Sequence, residues 1–268
     1  MADTTSSKVN STGYAIFFAT IVGLVSATVV SVAAVLLQPM QDANARLYME
    51  KNVLIAADLV EPGEPLTIEA VDKVFDAYIT TRMIDLETGQ VLDVDPATAR
   101  QFDQRAARND PEMSDVAPEN NAGIRRLPER APVYFIQRDG ALSQVVIPVD
   151  GLGMWGTVYG FMSLSADGET VEGITFYEHK ETPGLGGEIS NPEWQAVWEG
   201  RVAYGETGDV DLKIIKGQAG PPSEDPHRVD GLSGATVTSK AVTKVIQFWL
   251  GEHGFKPFLE RVGKGEFS

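Results

Sequence analysis

The chain has 268 residues, 43% of them hydrophobic and 22% charged, a make-up that suits one or two globular domains and excludes disorder throughout. Its formal net charge of -16 repels nucleic acid phosphates, so no nucleic acid partner is expected. The absence of cysteine excludes disulfides, thiolate clusters, c-type haem attachment and a lipoprotein anchor on this chain, and His179, His227 and His253 are too scattered for a metal motif.

From Val9 to Gln38 there is no charged residue, and Tyr14 to Leu37 is almost continuously apolar. At about 1.5 Å per residue that run crosses a bilayer core of about 30 Å. A cleavable signal peptide is the competing reading, since Ser31-Val32-Ala33-Ala34 loosely mimics a cleavage site. The run is too long for a signal core and lacks a lysine-rich leader, so a retained transmembrane helix is predicted. Gly23, Ser26, Ala27 and Ser31 suit close packing against partner helices. Charge decides little about orientation, because Asp3 offsets Lys8 and Asp42 accompanies Arg46. The short N-terminal tail and large acidic remainder favour an N-in, C-out arrangement.

After the membrane run, Gln41 to Leu59 reads as a helix leaving the bilayer, ended by Glu61-Pro62-Gly63. Thr67 is a good cap for a second helix whose apolar face is Val71, Val74, Phe75, Tyr78 and Ile79. Arg82 to Leu92 reads as a short strand pair around Glu87-Thr88-Gly89. Asp95 to Arg130 is polar and charged, and is expected to be a long surface excursion with partial helix. From Ala131 the pattern changes to strands: 133–137 and 142–149 around Arg138-Asp139-Gly140, then 157–165 and 170–178 around Ala166-Asp167-Gly168. Helices at 192–198, 235–250 and 257–262 complete an α+β fold, an antiparallel sheet covered by helices.

The stretch Asp230 to Ser239, D-G-L-S-G-A-T-V-T-S, delivers hydroxyl residues through a glycine turn to a helix expected to begin near Ser233 or Gly234. Its predicted apolar stripe is Val237, Ala241, Val245 and Phe248/Trp249. Unpaired N–H groups and the positive end of the helix dipole make such a start a place for a phosphate. The plainer reading makes Thr236 an ordinary cap. Gly151 to Gly156 matches G-x-G-x-x-G, but the residues after it, Thr157 to Ala166, are rich in β-branched and aromatic types instead of opening a helix, so dinucleotide binding fails. It reads as a turn between strands, or as one in which Trp155 and its neighbours wall a ring. Glu181-Thr182-Pro183-Gly184-Leu185-Gly186-Gly187-Glu188 joins a rigid proline to three glycines, either a plain turn or a loop that brings bare backbone to a planar ring. Lys216 ends a short strand before the glycine turn.

These segments also carry a resemblance. D-G-L-S-G-A-T is similar to the flavinylation motif of membrane redox complexes, in which a transferase esterifies the phosphate of FMN onto a threonine. E-T-P-G-L-G, followed by Asn191-Pro192 and a helix bearing Trp194 and Trp198, looks like the second signature of the same family. With the lysine strand and the closing Phe248-Trp249-Leu250-Gly251 and Gly254-Phe255-Lys256-Pro257-Phe258-Leu259, nearly the whole chain resembles the C-subunit of the sodium-translocating NADH:quinone oxidoreductases.

The resemblance implies FMN covalently linked to Thr236. It implies cofactor contacts from Ser233, Gly234, Ala235, Thr238, Trp155, Thr182, Gly184, Leu185, Gly186 and Lys216, and transferase recognition through Asp230. It further implies a complex that oxidises NADH, reduces ubiquinone and exports sodium, with other subunits, a flavin transferase and the lipid bilayer as partners. The setting is the bacterial inner membrane, with the large domain periplasmic. The expected organisation is a cytoplasmic tail at 1–13, a transmembrane helix at 14–37, a helical lobe and charged region at 38–130 and an FMN-binding domain at 131–268. The G-subunit of the related Rnf complex, working with ferredoxin and NAD, is the alternative within the same class. A membrane-anchored non-redox binding domain, in which S-G-A-T merely caps a helix, is the alternative outside it.

Overall fold

Asp139 and Gly140 both take positive φ, 53° and 81°, the conformation of a two-residue hairpin turn, and they close Arg138 directly onto Ala141. In the computed structural model, which describes residues 11–267, that turn joins strands β4 (Arg130–Arg138) and β5 (Ala141–Leu152). β6 (Thr157–Ser165) and β7 (Val171–Glu178) follow. Between them, Asp167 Oδ1 accepts the N–H groups of Glu169 and Thr170 at 2.7 and 2.8 Å, and Gly168 supplies the positive φ. The two hairpins are as predicted, and all neighbours in the sheet are antiparallel.

The sheet has a fifth strand. β1 (Ile79–Asp85) lies at its edge, giving the order β1-β4-β5-β6-β7. The strand pair expected at 82–92 is corrected here: its second arm is reduced to an isolated bridge, Ile84 to Val91, while β1 makes its ladder with β4. Residues 11–49 belong to one unit and residues from Glu50 onward to another, and β1 of the second unit lies in the five-stranded sheet.

In the first unit the long helix α1 (Thr12–Ala56) begins. It is one continuous helix containing Pro39, where two separate segments were expected. Its side chains from Tyr14 to Leu37 are exposed, and the helix is long and apolar enough to cross a membrane. The expected tail lies outside the described residues, apart from 11–13.

In the second unit both faces of the sheet are covered. On one face the end of α1 contributes buried Val53 and Leu54, and α2 (Ile68–Tyr78) contributes Val71 and Phe75. Thr67 caps α2 by accepting the Ala70 N–H at 3.3 Å. Phe75 meets Tyr134 edge-on at 6.1 Å, and Tyr134 meets Phe161 at 5.8 Å. Arg100, at the end of α3 (Pro96–Arg100), clamps this layer by pairing with Glu50, Asp72 and Asp76 at 2.7 to 2.8 Å. A second short helix, α4 (Gln104–Asn109), and the small ladder of β2 (Ser114–Val116) with β3 (Arg126–Pro128) complete the expected excursion.

The opposite face carries the larger core. α5 (Pro192–Ala196), α6 (Thr236–Trp249) and α7 (Lys256–Gly263) cover it with Trp194, Trp198, Val245, Trp249, Phe255 and Phe258. A short parallel pair, β8 (Lys213–Ile214) with β9 (Arg228–Val229), supports α6. Strands covered on two sides carry continuous apolar runs such as Val145-Val146-Ile147.

Asp150 on β5 is a buried acid, paired with Arg108 of α4. Burial pushes its pKa up and the Arg108 guanidinium pulls it back. Because the folded pKa lies above the unfolded one, the burden of the buried charge is absent below the unfolded pKa and grows as pH rises through the folded one. Arg108→Met is expected to remove about 3 kcal/mol of stability at neutral pH and distinctly less in mild acid, where Asp150 takes up a proton. Urea titrations at the two pH values check this.

Candidate functional site

α6 begins at Thr236, two residues after the predicted start, because Gly234 still takes a φ of +72° and Ala235 is non-helical at φ -124°. No side chain caps the helix. Its first-turn N–H groups and dipole therefore face outward beside Thr236, which is exposed. The predicted stripe is also shifted: Val237 is 56% exposed, and the buried face is Thr238, Ser239, Val242, Val245, Ile246 and Trp249. Ser239 turns inward, donating to the Ala235 carbonyl at 3.1 Å and accepting the Leu232 N–H.

The approach to the helix is held tightly. Asp230 Oδ1 accepts the Ala219 N–H at 2.8 Å, and its carbonyl accepts the Trp194 indole N–H at 2.9 Å. Gly231 donates to the Gly217 carbonyl at 2.7 Å, and a side chain there would lie 2.2 Å from Ile215 O. These bonds bring the Lys216-Gly217 loop beside the motif, with the Lys216 side chain exposed.

Two further loops converge on the same place. Gly153 to Gly156 is the tip between β5 and β6, closed by Leu152 opposite Thr157. It is a strand-to-strand turn, as expected from its failure to open a helix. At this tip Trp155 is 62% exposed, and Leu152 and Met154 are exposed beside it. The loop after β7 turns at Thr182, whose carbonyl accepts the N–H groups of Leu185 and Gly187, and continues into a 3-10 turn at Gly186–Ser190. Thr182, Pro183, Gly184 and Leu185 are exposed. The Leu185 Cδ2 atom lies 3.0 Å from where a side chain on Gly234 would begin, so the loop and the helix start touch.

One buried carboxylate joins the three segments. Glu181 Oε1 accepts the N–H groups of Met154 and Trp155, each at 2.9 Å, and Oε2 accepts the Thr238 hydroxyl. Sequence reasoning missed Glu181, although it opens the proline–glycine loop. Two of the expected contact residues are buried beside it. Thr238 is 1% exposed, with its hydroxyl turned to Glu181. Gly186 is also buried, and a side chain there would lie 2.5 Å from Thr238 Oγ1 and 2.8 Å from Glu181 Oε2. Gly186→Ala is therefore expected to cost about 2 kcal/mol by parting these two groups, measurable by thermal or urea unfolding.

Beyond the hairpin base, a groove of about 780 Å³ runs past Arg108, Asn120, Arg125, Asp150, Leu152 and Thr157. It meets the hairpin tip at its base, Leu152 and Thr157. The motif cluster itself is open: a hydroxyl and uncapped N–H groups, rimmed by Trp155, Met154, Leu185 and Val237. An exposed apolar rim of this kind marks a binding site more than a soluble surface.

A model of the FMN-binding domain matches residues 153–251, which runs from the hairpin tip through α6. The C-subunit of the Na(+)-translocating NADH-quinone reductase of Pseudomonas aeruginosa is 42% identical over 259 residues, spanning 96% of this chain and 98% of the relative. Its counterpart in Yersinia pestis is 42% identical, spanning 96% and 95%. The crystal structure of NqrC from Shewanella oneidensis superposes with a TM-score of 0.75 at 34% identity, covering 83% of this chain and 99% of that one. With the fold, the convergent loops and the end-to-end likeness all in accord, the chain belongs to the NqrC family, the C-subunits of the Na(+)-translocating NADH-quinone reductases.

Proposed function

We propose that this chain is the electron-transfer subunit of a membrane complex that oxidises NADH, reduces ubiquinone and exports sodium, and that it carries one FMN joined by a phosphoester to Thr236. The observation that supports this most is an exposed threonine hydroxyl at an uncapped helix start, set among exposed apolar side chains. The residues fit a phosphorylated planar ring. Backbone at Ser233 and Gly234 and the first turn of α6 offer N–H groups to a phosphate without needing a cation, while the Ala235 N–H is used within the turn, on the Leu232 carbonyl. Trp155, Leu185 and the Thr182 to Gly184 backbone offer flat apolar and bare surfaces to a ring, and Lys216 adds a positive charge on the same side. FMN supplies the reversible uptake and release of electrons; the side chains position it and limit its contact with water. Asp230, which orders the motif through Ala219, is assigned to recognition by the flavin transferase.

Covalent attachment has a physical reason here. A ring held on an open rim buries little surface, so noncovalent retention is weak, and an ester bond removes dissociation altogether. The exposed apolar helix α1 anchors the chain in the membrane, with the domain on the periplasmic side of a bacterial inner membrane and lipid and the other subunits around it. The match to NqrC relatives over nearly their full length favours this assignment over the Rnf G-subunit.

The test is denaturing electrophoresis of the full chain coexpressed with a flavin transferase. A fluorescent band that survives the detergent, with FMN found on peptide 230–240 by mass spectrometry, is the expected result. An unlabelled chain would sink the proposal.

A further inference from the structure

Glu181 is a carboxylate for which the flavin assignment has no task. It is 4% exposed, and no lysine or arginine pairs with it among the described residues. It accepts three hydrogen bonds: two from the Met154 and Trp155 N–H groups, one from the Thr238 hydroxyl. The backbone is fitted around it. Side chains on Gly153 and Gly186 would lie 2.7 and 2.8 Å from its two oxygens. Three segments remote in sequence thus meet on one group, and each carries part of the exposed rim: Trp155 from the hairpin, Leu185 from the loop, Thr236 from α6.

Resting on the flavin assignment above, we propose that Glu181 is a positioning residue of the flavin site, locking the hairpin tip to the first turn of α6 and fixing a negative charge between them. The lock acts because an unpaired buried carboxylate is costly, so tip and helix cannot part without exposing it or leaving it unsatisfied. The charge acts because a nearby anion disfavours an added electron and so lowers the flavin potential. Substitution by glutamine separates the two effects. Its oxygen still accepts both N–H groups and its amide meets the Thr238 hydroxyl, while the charge is gone.

The experiment uses the full chain coexpressed with the transferase, as wild type, E181Q and E181A. Amide hydrogen exchange at Met154 and Trp155 is expected to be about tenfold faster in E181A and close to wild type in E181Q. The flavin potential in E181Q is expected to rise by about 30 mV, a tenfold change in a two-electron equilibrium. Unchanged exchange in E181A, or an unchanged potential in E181Q, overturns the proposal. If E181A does not fold, Thr238→Val removes one of the three bonds, and unchanged exchange in that variant overturns it equally. The exchange rates are read on flavin-free chain as well. A wild-type chain without a fluorescent band therefore counts against the flavin assignment, while the lock is still decided by the exchange rates.

Discussion

Thr236→Ala abolishes the detergent-resistant fluorescence of the chain, whereas Thr238→Ala keeps it. This is the expected outcome of putting two threonines, two residues apart, into opposite environments. Thr236 opens α6 with an exposed side chain and no capping bond, so an enzyme can reach its hydroxyl and its loss leaves no structural gap. Thr238 is buried with its hydroxyl on Glu181, so no transferase reaches it. The stability of the two variants should run the other way. Thr236→Ala is expected to change it by less than about 0.5 kcal/mol, as for a surface position. Thr238→Ala leaves Glu181 Oε2 unpartnered, at a cost of about 2 kcal/mol. Gel fluorescence and urea unfolding on the same pair of variants check both. Fluorescence lost from Thr238→Ala and kept in Thr236→Ala would reverse the assignment.

Trp249→Ala is expected to lower stability by about 4 kcal/mol, near the upper part of the range for deleting a large buried side chain. Trp249 is fully buried, packs against Phe255 with ring centroids 5.4 Å apart, and donates its indole N–H to the Asp150 carbonyl at 2.6 Å. Alanine leaves a cavity and removes the indole donor from this carbonyl near the end of β5. Trp249→Phe separates the two losses, with about 1 kcal/mol expected for the hydrogen bond alone. The consequence reaches the site, because Trp249 fastens the far end of the helix that presents Thr236. A partly labelled Trp249→Ala chain beside a fully labelled Trp249→Phe chain is the expected pattern on the same gel. Equal stability of all three chains would contradict this account of the core.

Local chemistry made much of the fold readable. The Asp139-Gly140 turn takes the positive φ values that such a pair favours, and the strand 157–165 is observed with the predicted ends. The Thr67 cap holds the helix predicted after it. The stripe on α6 was misread for a physical reason. Val237 looks like a core residue and Thr238 and Ser239 look like surface residues, but the two hydroxyls are buried with partners and the valine is left on the open rim.

By itself the sequence determined the elements, the apolar anchor, and a threonine at the start of a helix after a glycine turn, because turns, caps and periodicity depend on neighbours along the chain. The tertiary structure alone decided that residues 50–78 form a second layer on the sheet, that Thr238 faces inward, and that Glu181 ties the hairpin tip to α6. Those outcomes depend on which remote groups satisfy one another once buried. A carboxylate at position 181 has no visible partner until the β5–β6 tip and the first turn of α6 are brought to it.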